Sequence, residues 1–313
     1  MAWLEITLNT QPGSVNALAT ALTGLGFDDL CIEDQQEFET FLEENREYWD
    51  YIDESLEKRL QGLSRVKLYL EDTEAEKLQK LQHFASQRNL PITVTPLPDT
   101  NWEESWKDNY PPQEVGQSLV VLPYWLEDSY VTDRKKVILD PGLTFGTGAH
   151  PSTQMVMEAM EELVTPGMHC LDLGSGSGIL SITALRLGAE SAVGVDIDPK
   201  AEAIARENAG YNGFAAPAFT ALTGNVTADK ELMRALCAGE YGLVLVNIVA
   251  DVIIGLCPIL PELLGADTRL ILSGILDTRL EDVLAALKSA GIAPTSIRKK
   301  EEWRCITATG KKE

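Results

Sequence analysis

The sequence predicts an α/β protein in two parts: a small ferredoxin-like α+β domain over residues 1–98 and a Rossmann-like, mostly parallel, doubly wound sheet over 116–313, with a linker helix over 99–115. Three features predict this. A chain of 313 residues is about two domains long at roughly 150 residues each, and 44% apolar residues can fill two cores. The first third reads as the order βαββαβ, the pattern of a ferredoxin-like sandwich. From Leu119 onward short apolar runs alternate with helical periods, as in parallel strands covered on both faces.

Taken in order, Trp3–Leu8 alternates as a strand. Ser14 stands as an N-cap before Val15, Leu18, Ala19 and Leu22 at helical spacing. Leu30–Ile32 and Val66–Leu70 read as strands, Glu74–Arg88 as an amphipathic helix and Ile92–Val94 as the closing strand. Pro96 and Pro98 mark the end of this unit. Between its second and third strands, residues 28–57 hold 13 acidic side chains and one basic, Arg46. Such a run is either a solvated face or a docking surface for a basic protein. Trp102 and Trp106, four apart, share one face of the linker helix, which Pro111–Pro112 ends.

Charge narrows the partners. Lys and Arg total 26 against 48 Asp and Glu, a net charge of −22, so neither nucleic acid nor an anionic membrane is expected as partner, while a basic protein suits it. The five cysteines are dispersed without a CxxC, and His83, His150 and His169 are scattered, so no metal site is expected. MAWLEITLNT lacks the form of a signal peptide, and the apolar stretch Leu243–Cys257 is short and broken by Asn247 and Asp251. A cytoplasmic monomer is expected.

The chemistry sits in one βαβ unit. Cys170–Leu173 ends a strand, Gly174-Ser175-Gly176-Ser177-Gly178 follows, Ile179–Leu187 runs as a helix and Gly188 stops it. The next strand, Ser191–Val195, ends in Asp196, 22 positions after Gly174, and Asp198-Pro199 opens another helix. Glycines admit close approach of backbone to a ligand, and an acid at the second strand's end can hold both hydroxyls of a ribose. A dinucleotide turn is G-x-G-x-x-G, with the helix N-terminus aimed at a pyrophosphate. Here the spacing is G-x-G-x-G, and Asp172, two residues before it, repels phosphate but can pair with an ammonium. S-adenosyl-L-methionine carries an ammonium, a sulfonium and a ribose, without phosphate. DLGSGSG with Asp196 therefore resembles the cofactor loop of class I methyltransferases. No Walker loop competes, since the sole Gly-Lys pair, Gly310-Lys311, lacks its context.

Beyond that loop, LDPGLTFGTGAHPST (139–153), GVDIDP, NIVA (247–250), SGIL (273–276), EEWRCITATG and the linker NWEESWK resemble, over nearly the whole chain, the PrmA family of bacterial methyltransferases. Their substrate is the large-subunit ribosomal protein of the stalk base, numbered eleven. The resemblance implies methyl transfer from S-adenosyl-L-methionine to lysine side-chain and N-terminal amines of that basic protein, held by the first domain. It implies that Thr153, Gly174, Asp196 and Asn247 contact the cofactor, Asn247 beside the methyl group, and that Gly142–Gly148 closes over it. Asn247 has independent support as a polar residue directly after LVLV, at a strand's carboxyl end. Ala149, Ser175 and the order Arg304-Cys305 depart from the family pattern, and Ala149 leaves the role of His150 open. No catalytic base is legible, and the NPPY-type tetrapeptide of many amide and base-amine methyltransferases is absent, since Ile248-Val249-Ala250 follow Asn247. The competing readings are an NAD-dependent dehydrogenase, a methyltransferase of another protein or of RNA, and a cofactor-binding ribosome-assembly scaffold without turnover. Residues 1–100 hold 8 basic and 19 acidic side chains, which disfavours RNA.

Overall fold

The computed structural model describes residues 3–44, 60–97, 107, 110–141 and 148–310, and the chain divides into two compact units, Met1–Asn109 and Tyr110–Glu313. The expected helix around Trp102 and Trp106, the acidic positions from 47 to 57 and residues 142–147 lie outside the described residues.

The first unit runs β1 (Trp3–Asn9), α1 (Val15–Thr23), β2 (Cys31–Asp34), α2 (Gln35–Glu44), β3 (Ser64–Glu71), α3 (Ala75–Gln87) and β4 (Ile92–Leu97). Its strands lie in the order β2-β3-β1-β4, every neighbouring pair antiparallel, the ferredoxin-like arrangement. Period-two alternation turns Ile6 and Leu8 of β1 and Val66, Leu68 and Leu70 of β3 onto Val15, Leu18 and Leu22 of α1 and Leu81, Phe84 and Ala85 of α3. One local expectation changes, that for Pro96, and two gain detail. Ser14 occupies the N-cap of α1 without a side-chain capping bond. Pro96 lies inside β4, opposite Leu4; β4 is an edge strand, where a missing N–H costs no ladder bond. The start of the acidic run is helical in α2, where Asp34 Oδ1 accepts from the Glu37 N–H at 2.9 Å.

In the second unit, β5 (Gln113–Val115), β6 (Leu119–Pro123) and β7 (Lys135–Leu139) form a three-stranded sheet, so residues 113–115 are strand rather than linker helix. There follow α4 (Pro151–Leu163), β8 (His169–Leu173), α5 (Ile179–Leu187), β9 (Ser191–Asp196), α6 (Pro199–Tyr211), β10 (Phe219–Thr223), α7 (Lys230–Cys237) and β11 (Leu243–Asn247). The chain ends with α8 (Ala250–Leu256), α9 (Leu260–Leu263), β12 (Arg269–Leu276), α10 (Leu280–Ser289), β13 (Ala293–Lys300) and β14 (Trp303–Thr309). Seven strands order as β10-β9-β8-β11-β12-β14-β13; the first five are parallel, and β14 inserts antiparallel between β12 and β13.

This sheet is doubly wound, as expected, and β11 shows why. Its residues Leu243 to Val246 are all fully buried; Leu243 and Leu245 face one core with α4, α5 and α6, while Val244 and Val246 face the other with α7 to α10. A strand covered on both faces needs a continuous apolar run, which LVLV supplies. Helix ends are set locally. Asp198 caps α6 by accepting from the Lys200 N–H at 2.9 Å, with Pro199 in its first turn, and Gly188 ends α5 at φ +117°.

Candidate active site

The connections β8–β9–β10 run to one side of the sheet and β11–β12 to the other, so the strand order reverses between β8 and β11. The crevice beyond the carboxyl ends at such a reversal is where open α/β sheets take ligands. Gly174 follows β8, Asn247 ends β11 and Asp196 ends β9, while Thr153 lies in the first turn of α4. The fold thus brings the four residues singled out in the sequence to one edge.

The glycine loop is held by its own N–H groups. Gly174 and Ser175 donate to Val195 O at 2.8 and 3.1 Å, Gly176 to Asp196 Oδ2 at 2.8 Å, and Gly178 to Ser175 O at 2.8 Å. Gly174, Gly176 and Gly178 have φ of +78°, +50° and +79°, which only glycine adopts without strain. A Cβ on Gly174 would lie 2.4 Å from Ile248 Cγ2. A phosphate cradle needs those N–H groups free and a helix N-terminus without a carboxylate. Neither condition holds: Asp172 Oδ2 already accepts from the Ser181 N–H (3.1 Å) and hydroxyl (2.8 Å) in the first turn of α5.

Asp172 is fully buried, and its Oδ1 has no hydrogen-bond partner among the described residues. Burial pushes its carboxyl up to about 7, against the lowering effect of the Ser181 donors and with a smaller rise from the Asp196 charge. Asp196 is half-buried and oriented from both sides, Oδ2 by Gly176 N–H and Oδ1 by Asp198 N–H at 3.0 Å. Beside it Ile197 is 68% exposed, a large apolar side chain that sequence patterning did not flag because it sits between two acids.

Asn247 is half-buried and donates from Nδ2 to Thr153 Oγ1 at 3.2 Å; Thr153 itself is buried. The next residue explains two of the motifs. Ile248 N–H donates to Ser273 O at 3.1 Å, and a Cβ on Gly274 (φ +83°) would lie 2.4 Å from Ile248 O. Ile248 therefore sits between the two glycines, its side chain against Gly174 and its backbone against Gly274, which is why NIVA and SGIL accompany the glycine loop. His150, open in the sequence reading, is the N-cap of α4. Its Nδ1 accepts from the Ser152 N–H at 3.3 Å and lies 2.7 Å from Ser152 Oγ, and its ring meets Trp303 edge-on at 4.6 Å. Burial of its inner side lowers its pKa from 6.5, opposed by Glu302 and Glu301. With Nδ1 accepting, Nε2 carries the proton in the neutral ring.

Among the described residues no group of three His, Cys, Asp or Glu side chains could hold a metal, and no helix is long and apolar enough to cross a membrane.

Comparison with known proteins agrees with this geometry. The profile of the family described as ribosomal protein L11 methyltransferase (PrmA) matches residues 2–311. A ribosomal protein L11 methyltransferase of Heliobacterium modesticaldum is 35% identical over 98% of this chain and 97% of its own. One of Caldicellulosiruptor bescii is 33% identical over 99% of both chains. Among solved structures, the ribosomal protein L11 methylase of Lactobacillus delbrueckii subsp. bulgaricus superposes with a TM-score of 0.58 at 29% identity, covering 65% of this chain and all of that one.

Proposed function

The chain belongs to the PrmA family of ribosomal protein L11 methyltransferases, and from that premise we propose that it methylates lysine side-chain and N-terminal amines of ribosomal protein L11. It is an S-adenosyl-L-methionine-dependent methyltransferase. The observation that carries the cofactor reading is the fully buried Oδ1 of Asp172, unpaired among the described residues, beside a loop in which the N–H groups of Gly174, Ser175, Gly176 and Gly178 are already bonded. A free carboxylate oxygen accepts from an ammonium, and N–H groups already spent on the protein leave a pyrophosphate without donors, which disfavours the dinucleotide alternative.

Bound S-adenosyl-L-methionine supplies a methyl group already activated on its sulfonium. The protein's part is alignment and exclusion of water. Asp172 would pair with the ammonium and Asp196 would accept from the ribose hydroxyls; Gly174 keeps that edge of the loop free of a Cβ, and the exposed Ile197 would offer the base an apolar surface. With its amide committed to Thr153, Asn247 has its carbonyl oxygen to offer an amine N–H, which would orient the substrate nitrogen at this edge of the sheet. The amine must arrive neutral. A lysine near pKa 10.4 reaches that state by desolvation in the crevice or by proton loss to water before attack.

The first unit serves as the substrate holder in this reading. Its acidic surplus suits a basic ribosomal protein and speaks against RNA. A ribosomal substrate implies work in the cytoplasm. The test is intact mass spectrometry of recombinant L11 after incubation with this protein and S-adenosyl-L-methionine. A ladder of added methyl groups is expected. An unchanged mass, with cofactor binding confirmed by calorimetry, would overturn the substrate while keeping the cofactor.

A further inference from the structure

Two buried asparagines stand one turn apart at the end of helix α6, Asn208 within it and Asn212 as its C-cap. Buried amides are costly unless all their polar atoms find partners. Asn212 Oδ1 accepts from the Ile138 N–H (3.0 Å), and its Nδ2 donates to Ile138 O (2.6 Å). Two residues further along the chain, the Asp140 N–H donates to Asn208 Oδ1 at 2.8 Å. Four residues along a helix rise about 6 Å and two residues along a strand about 6.6 Å, so the two amides match alternate residues of an extended chain. They act as a substitute strand along the open edge of β7, the outer strand of the three-stranded sheet.

Asn208 does one thing more. Its Nδ2 donates to Ser177 O, in the glycine loop, at 2.8 Å. One fully buried side chain therefore joins the carboxyl end of β7 to the loop that also holds Asp196 through Gly176. We propose that Asn208 is a positioning residue for the cofactor: by holding Ser177 and Asp140 together it sets the height of the glycine loop, whereas Asn212 only seals the strand edge. This rests on the cofactor reading above and deepens it. Gly178 fits the same picture, since a Cβ there would lie 3.0 Å from Ala205 Cβ on α6; the helix is pressed against the loop it positions.

The test compares Asn208→Ala and Asn208→Asp with Asn212→Ala in the full chain. Calorimetric affinity for S-adenosylhomocysteine and thermal melting are measured for all three. Asn208→Asp keeps size and the acceptor for Asp140 N–H, but turns the donor toward Ser177 O into a second acceptor. Both Asn208 variants are expected to weaken S-adenosylhomocysteine by about tenfold, the scale of one lost buried hydrogen bond with its partner stranded. Turnover at saturating cofactor stays within about twofold, because Asn208 touches no reacting atom. Asn212→Ala is expected to lower the melting temperature while leaving the affinity near wild type. Equal affinity losses at the two positions, or an unchanged affinity in Asn208→Asp, would overturn the positioning role. A wild-type protein without affinity for S-adenosylhomocysteine would instead refute the cofactor reading, and this inference with it.

Discussion

Replacing Asp172 by asparagine separates stability from cofactor binding, because the two depend on its carboxylate with opposite sign. In the unliganded protein the carboxyl is raised from 3.8 to about 7, first by burial. The folded state thus favours the protonated form. Its contribution to stability is full below 3.8 and is lost as pH rises through about 7. Above 7 the ionised folded state is disfavoured by about 4 kcal/mol, an upper figure for what Asp172→Asn recovers. The variant should therefore melt higher than wild type at pH 8 and nearer to it at pH 5. Cofactor binding responds the other way. An ammonium against the buried Oδ1 makes a charge-assisted hydrogen bond worth about 1.5–3 kcal/mol, so its loss weakens S-adenosylhomocysteine by about ten- to hundredfold. Binding also draws the carboxyl toward ionisation. Wild-type affinity then falls as pH drops below about 7, by up to about tenfold per unit, while the variant stays flat. Titration calorimetry at pH 6, 7 and 8, in two buffers of different ionisation enthalpy, reads both affinity and released protons. A variant that binds as tightly as wild type, or a wild-type affinity that ignores pH over this range, would refute the pairing.

Other positions give sharper mechanical tests. Asn247→Ala should slow single-turnover methylation at saturating cofactor, and Thr153→Val, which removes the partner of its amide, should slow it several-fold, about 1 kcal/mol; an Asn247→Ala enzyme with reduced cofactor affinity and an unchanged single-turnover rate would remove Asn247 from amine orientation. Gly274→Ala places a Cβ 2.4 Å from Ile248 O at φ +83°, and thermal melting should show a loss of at least about 1–3 kcal/mol. His150→Ala removes the cap of α4 and should cost about 1 kcal/mol at pH 8. Since burial lowers the His150 pKa from 6.5, the contribution of its neutral form is present above 6.5 and fades as pH falls below it; a cost that grows toward acid pH would show the sign to be wrong. Neutralising Asp28, Asp29, Glu37 and Glu39 should flatten the salt dependence of L11 binding measured by calorimetry, and an unchanged slope would detach the acidic run from substrate capture.

Much of the candidate site was legible because its signals are local. DLGSGSG needs three glycines for three positive φ angles, and Asp196 is marked by its place at the end of a strand of readable length. LVLVN announces a strand buried on both faces followed by a polar residue at its carboxyl end. Asn208 carried no such mark. On a helix surface an asparagine is ordinary, and it becomes a clamp only when residues 68 positions earlier and 31 positions earlier are folded against it. Pro96 misled for a related reason. A proline ends a central strand but not an edge strand, and edge or centre is a property of sheet order.

By itself the sequence determined what is written in neighbouring residues: the alternation of strands and helices, the turn that only glycine can make, the carboxylates at fixed distance from it, and the motif order that carries the family resemblance. Tertiary structure decided the quantities that depend on what packs in from afar. It isolated Asp172 from water and raised its pKa, fitted Ile248 between Gly174 and Gly274, put His150 over the first turn of α4 and set the amides of Asn208 and of the α6 C-cap Asn212 along the edge of β7. Backbone torsions and side-chain periodicity act over a few residues, whereas burial and hydrogen-bond partners exist only once distant segments meet.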